Sequence, residues 1–203
     1  MSKGGSFELE IAKVLSLWLT EGERDDLVCK TDTSGGRATV RTKVGKETNI
    51  YLFGDLKHSD DLARPMVDSW SIELKTGYGK KSKLKNGTLV KRNWDILDLL
   101  DGTEKVPVLA KLWAQCVNDA DLSHRTPILI FRRNLRAPCI LMPRPTMRKL
   151  EMIFGRYPGL KFDFIIPNVP YELVSLIKFK AFIDWADSPD LIFTSAPKER
   201  LEY

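Results

Sequence analysis

The hexapeptide Trp70-Ser71-Ile72-Glu73-Leu74-Lys75 alternates apolar and polar side chains without a break. Successive side chains of an extended chain point to opposite faces, so the pattern predicts a strand with Trp70, Ile72 and Leu74 on one face. Ser71, Glu73 and Lys75 then share the other face, and Glu73 and Lys75 project side by side from a well-anchored strand. On its own a Glu-x-Lys pair is ordinarily an exposed ion pair and carries little; its neighbours decide what it does.

One such neighbour is Asp55, in Phe53-Gly54-Asp55-Leu56 at the end of a short apolar strand predicted over 49–56. If that strand pairs with 70–75, the Asp55 and Glu73 carboxylates come close together. Two carboxylates so placed repel one another unless a divalent cation neutralises them. Mg²⁺ (with Mn²⁺ as a substitute) suits hard oxygen ligands and keeps several waters, and Lys75 would orient a water or stabilise charge growing on a phosphate. Ordinary surface charges are the alternative reading of the trio. Asp60, Asp61 and Asp68 also precede Glu73, but they sit in a polar connection, and Asp68 is too near Glu73 for a strand pair with its turn.

A second hint is Glu8. Residues 6–20 carry Phe7, Ile11, Val14, Leu15, Trp18 and Leu19 at the spacing of an amphipathic helix, with Ser6 as the expected N-cap. At 100° per residue Glu8 falls between Leu15 and Leu19, inside the apolar arc. A carboxylate facing a core is costly unless it is paired or bound to metal. A frayed first turn would instead leave it solvated.

The remaining pattern supplies a scaffold. Leu27–Lys30 reads as a first strand, Thr31–Lys46 as a polar loop, and Asn86-Gly87 as a hairpin turn. Leu109, Leu112, Trp113, Cys116 and Ala120 form a second helical stripe, with Gln115 at its edge. Thr126–Phe131 is a buried strand and Cys139–Met142 its expected antiparallel neighbour. The order helix, three strands, helix, two strands predicts an α/β fold, a sheet flanked by helices. The chain has 203 residues, which suits one domain with appendages. We divide it into a core at 1–144 and an accessory region at 145–203 packed on that core, with a short helix, a strand near 162–166 and an apolar stretch at 174–185.

Charge points to a polyanion. The formal net charge is +5, and from Gly77 to Trp94 the bases Lys80, Lys81, Lys83, Lys85, Lys91 and Arg92 stand with no acid among them. Such stretches are commonly just solvated surface. Two of them flanking a carboxylate cluster favour nucleic acid, the second being Arg37, Arg41, Lys43 and Lys46. Ser34 and Arg37 in the Gly-rich loop, Lys57 near Asp55, Lys80, Lys81 and Lys83 of the first basic stretch, and Gln115 are candidates for DNA contact. Other chemistries fit poorly: His58 and His124 are far apart without cysteine spacing for zinc, and neither a phosphate-cradling Gly-Lys loop nor a Gly-x-Ser-x-Gly elbow occurs. The polar start Met-Ser-Lys-Gly-Gly-Ser, the lack of a membrane-length apolar run and the scattered Cys29, Cys116 and Cys139 predict free thiols and a cytoplasmic location.

Over roughly residues 4–142 the pattern resembles the PD-(D/E)XK nuclease superfamily, and within it the archaeal and phage-type Holliday-junction resolvases. The residues that carry it are Gly5-Ser6-Phe7-Glu8, Ser34-Gly35-Gly36-Arg37, Gly54-Asp55, Ile72-Glu73-Leu74-Lys75, Gln115, and Pro127 to Arg133. Gly54 stands where the superfamily's name has proline. The resemblance implies a restriction-endonuclease-like α-β-β-β-α-β core with a mixed sheet. It implies Glu8, Asp55 and Glu73 as metal ligands, the Leu74 carbonyl as another, and Lys75 as base or charge stabiliser. The function it implies is a Mg²⁺-dependent endonuclease of DNA recombination, acting on branched or junction DNA as a homodimer. A non-cleaving nucleic-acid-binding protein, or a restriction or repair nuclease, are the alternatives.

Overall fold

The computed structural model describes residues 3–31, 50–77, 81–83, 89–91, 107–133 and 135–193. In chain order the elements are α1 (Lys3–Leu19), β1 (Val28–Lys30), β2 (Leu56–His58), α2 (Arg64–Ser69), β3 (Trp70–Gly77), β4 (Lys81–Lys83) and β5 (Leu89–Lys91). There follow α3 (Val108–Leu122), β6 (Thr126–Arg133), β7 (Cys139–Pro143), α4 (Arg144–Phe154), β8 (Phe162–Ile165), β9 (Leu173–Lys178), α5 (Phe179–Trp185) and α6 (Asp190–Phe193).

Five strands form one mixed sheet in the order β3-β6-β7-β9-β8. β3 and β6 are parallel, in a register that sets Glu73 beside Leu129 and Lys75 beside Phe131. A parallel pair needs a crossover, and α3 lies in it. The other three pairings are antiparallel. β1 and β2 pair with each other as a small separate ribbon, and β4 pairs antiparallel with β5, as the expected hairpin requires. This is the anticipated α/β architecture.

Both faces of the sheet are covered. Phe7, Ile11, Leu15 and Trp18 of α1 pack with Ile72, Leu74, Ile128, Ile130, Ile140 and Met142 on one side. Leu109, Trp113 and Cys116 of α3 pack with Leu129, Phe131 and Leu141 on the other. The period of two in β3 is therefore real, yet residues 70–74 are all buried, because α3 roofs the face that Glu73 shares. The region after Pro145 enters the same structure: β9 pairs with β7, and Phe182 packs against Trp18 and Trp70 at ring separations of 5.6 and 6.3 Å. Trp18 Nε1 also donates to the Ala186 carbonyl at 2.6 Å.

Three local expectations are corrected. Helix α1 starts at Lys3, so Ser6 is an exposed residue within it and not its N-cap; the apolar stripe marks only the packed part of a helix, and here a turn lies upstream of it. No strand spans 49–56: Ile50–Leu52 is a 3₁₀ turn, and Asp55 precedes the strand β2. The reason is Gly54, whose φ of +78° breaks an extended run. Thr31 is buried against the Gly54 carbonyl and is no part of a solvated loop; the rest of that expected loop lies outside the described residues. Among the described residues no helix is long and apolar enough to cross a membrane. Cys29, Cys116 and Cys139 are free thiols.

If residues 179–185 belong to the cooperative core, Phe182→Ala, at a fully buried position, will cost about 3–5 kcal/mol in urea unfolding. A loss below about 1 kcal/mol would place α5 outside that core.

Candidate functional site

The site is built on the edge of β3 away from β6, where no other strand pairs with it among the described residues. An edge strand offers unpaired main-chain groups, and the turn after Gly54 meets two of them. The Asp55 N–H donates to the Ile72 carbonyl at 2.8 Å, and the Leu74 N–H donates to Asp55 Oδ2 at 2.7 Å. Asp55 therefore acts as a one-residue strand neighbour whose carboxylate caps the edge beside Glu73. Only glycine suits position 54, because a Cβ there would sit 2.9 Å from the Ile72 carbonyl oxygen. Thr31 holds the same turn from the far side, its N–H on the Asp55 carbonyl at 2.9 Å and its hydroxyl on the Gly54 carbonyl at 3.0 Å.

Glu73 is 2% exposed. Its Oε1 accepts from Gln115 Nε2 of α3 at 2.8 Å and from Lys75 Nζ. Its Oε2 is buried with no hydrogen-bond partner among the described residues. Burial, with the nearby Asp55 charge as a second cause, pushes the Glu73 carboxyl up to about 7, against the pull of Lys75. Burial raises Asp55 as well, opposed by the Leu74 N–H and by Lys75. Glu8 is half-buried within regular helix, so its first turn is not frayed. Burial and then the Asp55 charge raise its carboxyl, while Lys30 and Lys75 lower it. The start of α1 is fastened to β6 by Arg132, which bonds Glu10 at 2.7 Å and lies 4.5 Å over the Phe7 ring.

The structure thus brings Asp55, Glu73, Leu74, Lys75 and Gln115 together, with Glu8 within electrostatic reach. Among the described residues no three of His, Cys, Asp and Glu form a group able to hold a metal ion. What exists is a carboxylate pair with one orphaned buried oxygen. That pair suits a hard cation that completes its shell with water and main-chain oxygen. Lys57 lies in β2, half-buried and opposite Cys29. Lys81 and Lys83 lie in β4, while Ser34, Arg37 and Lys80 fall outside the described residues.

Some participants had no conspicuous sequence signal. Asp119, buried on α3, raises Glu73 electrostatically; its one clue is its place four residues after Gln115, on the same helix face. Thr31 and Arg125 act through main-chain carbonyls and carry no motif.

With this geometry in view, comparison with protein families gives a match over residues 1–184 to the family described as "Phage putative PDDEXK endonuclease". The chain belongs to that family. As a phage PD-(D/E)XK endonuclease family member it is matched beyond Pro145, through both β8 and β9. Comparison with curated proteins and with solved structures finds no match.

Two expectations follow for this endonuclease family member. Glu73 and Asp55 both hold protons more tightly when folded than when unfolded. Their contribution to the stability of the metal-free protein is therefore fully present below about pH 4 and is lost, by on the order of 3 kcal/mol, as pH rises to about 7. Urea unfolding in EDTA across this range checks it: Glu73→Gln should flatten the slope, and an unchanged slope would exclude the carboxylate pair as its source. Gly54→Ala, strained by φ and by the Ile72 carbonyl, should cost about 2 kcal/mol or more; a melting temperature equal to wild type would show that the turn is not as tight as described.

Proposed function

We propose that the chain is a divalent-metal-dependent DNA endonuclease, with Mg²⁺ as the working ion and Mn²⁺ as a substitute. The observation that carries this is the buried Oε2 of Glu73, unpartnered among the described residues, beside the Asp55 carboxylate, with the Lys75 ammonium on the same glutamate. A buried acid pair of this kind is costly unless a cation neutralises it. Asp55 and Glu73 would hold the ion, with the Leu74 carbonyl and Glu8 as the further ligands that the superfamily resemblance implies. A bound divalent ion supplies charge neutralisation at phosphate and lowers the pKa of water.

The chain's own groups have separable tasks. Gln115 fixes the Glu73 carboxylate through Oε1 and so leaves Oε2 as the oxygen available to an ion. The Leu74 N–H fixes the Asp55 carboxylate in the same way. Lys75, once drawn off Glu73, is the donor positioned to steady charge on the scissile phosphate or to orient the attacking water. The reaction forms a bond from water oxygen to phosphorus, breaks one ester P–O bond, and passes the water proton to a base. Lys57, Lys80, Lys81, Lys83, Ser34 and Arg37 would contact backbone phosphates, giving affinity without sequence preference. We favour junction DNA as substrate and a two-fold dimer, whose paired sites match the two equivalent cuts of a symmetric junction.

Supercoiled plasmid should be nicked with Mg²⁺ or Mn²⁺ and left intact with EDTA, and Lys75→Ala should lower the rate by about 10²–10⁴-fold. DNA binding without nicking under any of these conditions, at several pH values, would replace the enzyme by a non-cleaving DNA-binding protein. Equal cutting of a four-way junction and a linear duplex of the same sequence would remove the junction preference and leave a general nuclease.

A further inference from the structure

Arg125 lies between α3 and β6, and only 5% of it is exposed. Helix α3 ends in a left-handed His124 at φ +53°, with the Arg125 N–H on the Ala120 carbonyl and the His124 N–H on the Asp121 carbonyl. This double closure is a Schellman turn, and it fixes where the Arg125 side chain starts. The guanidinium then makes bonds in three directions. Nη2 donates to the Phe53 carbonyl at 2.7 Å, Nη1 to the Val67 carbonyl at 2.9 Å and more distantly to Trp70 at 3.5 Å, and Nε to Ser123 Oγ at 2.9 Å. Ser123 Oγ in turn donates to the Asp119 carbonyl at 2.8 Å.

Each acceptor belongs to a segment that carries part of the site. Phe53 is two residues before Asp55. Val67 and Trp70 lead into β3 and Glu73. Ser123 closes α3, which carries Gln115. Burying a cation is costly, and burial lowers this guanidinium only to about 10, so it stays charged at neutral pH. An arginine fork can serve several fixed carbonyls at once, which the flexible ammonium of lysine cannot do in the same geometry.

We infer that Arg125 is a positioning residue: it holds the Phe53–Asp55 turn against β3 and so sets the Asp55 carboxylate relative to Glu73. This rests on the proposed metal site for its consequence in catalysis, but the positioning itself is a property of the metal-free protein. Arg125→Lys keeps the charge and loses the fork; Ser123→Ala leaves the arginine and removes one anchor. As a control, Leu150→Ala opens the core under α4, which packs on β7 and β9 and not on α3.

Amide hydrogen exchange of the metal-free proteins reads the turn directly. In Arg125→Lys the Asp55 and Leu74 amides should exchange at least about 10-fold faster, with a smaller change in the same direction in Ser123→Ala. In Leu150→Ala any acceleration should be shared with amides across the sheet. Mn²⁺ titration by calorimetry should then show affinity weakened roughly 10- to 100-fold in Arg125→Lys, as for other groups that orient a metal ligand, and unchanged in Leu150→Ala. Wild-type exchange at Asp55 and Leu74 in Arg125→Lys would overturn the inference. So would selective loss there with Mn²⁺ affinity intact. Should wild-type protein bind no Mn²⁺ while Arg125→Lys still frees those two amides, the positioning role stands and the metal-nuclease reading falls. If Arg125→Lys fails to fold, the same two amides in Ser123→Ala decide: no selective acceleration there overturns the inference.

Discussion

A single turn of chain, laid along the edge of β3 away from β6, sets the geometry of the candidate site. The Asp55 N–H satisfies the Ile72 carbonyl and the Asp55 carboxylate satisfies the Leu74 N–H, so residues on either side of Glu73 grip the acid that faces it. Three successive carbonyls of that turn, from Phe53, Gly54 and Asp55, accept bonds from Arg125, Thr31 Oγ1 and the Thr31 N–H. Buried main-chain groups are rarely left unpaired, and here their pairing also fixes a pair of like charges close together. Asp55 is held there by a main-chain N–H that cannot swing away, and Glu73 by the Gln115 amide and the Lys75 ammonium, whose charge offsets part of the repulsion.

The second element of the arrangement is the roof. Helix α3 serves as crossover between the parallel strands β3 and β6, and the same helix brings Gln115 onto Glu73 and Asp119 near it. Topology and chemistry are thus linked. Covering both faces of the sheet around β3 dries the glutamate, and drying raises its carboxyl.

How much of this could be read from the residues depended on the range of the signal. Glu73, Leu74 and Lys75 were legible because strand alternation is local and β3 obeys it. Gln115 was legible as a residue at the margin of a helical stripe and expected to meet DNA, but its bond to Glu73 was not, because that contact depends on how α3 crosses the sheet. The closeness of Asp55 to Glu73 was anticipated through strand pairing, yet the structure achieves it by a turn, since one glycine with positive φ overrides an apolar run. The buried roles of Thr31 and Arg125 were not legible: their partners are carbonyls of distant segments, which every residue type supplies and no pattern marks. The helix start was misplaced for a related reason, as periodicity reports packing and is silent about an unpacked first turn.

The alternation within β3 has a bearing on how such chains can diverge in length. The exposed connection around Asp61 and Leu62, ahead of the buried Ala63, Met66 and Val67 and outside the gripping contacts on Asp55, can gain or lose residues one at a time without altering which way Glu73 points. Inside β3 that freedom vanishes, since an indel of one residue reverses sidedness and would aim Ile72 and Leu74 at α3 while turning the acid toward α1. Even-numbered indels alone would preserve parity there, so homologues of this chain should vary in the connection and keep the strand's count.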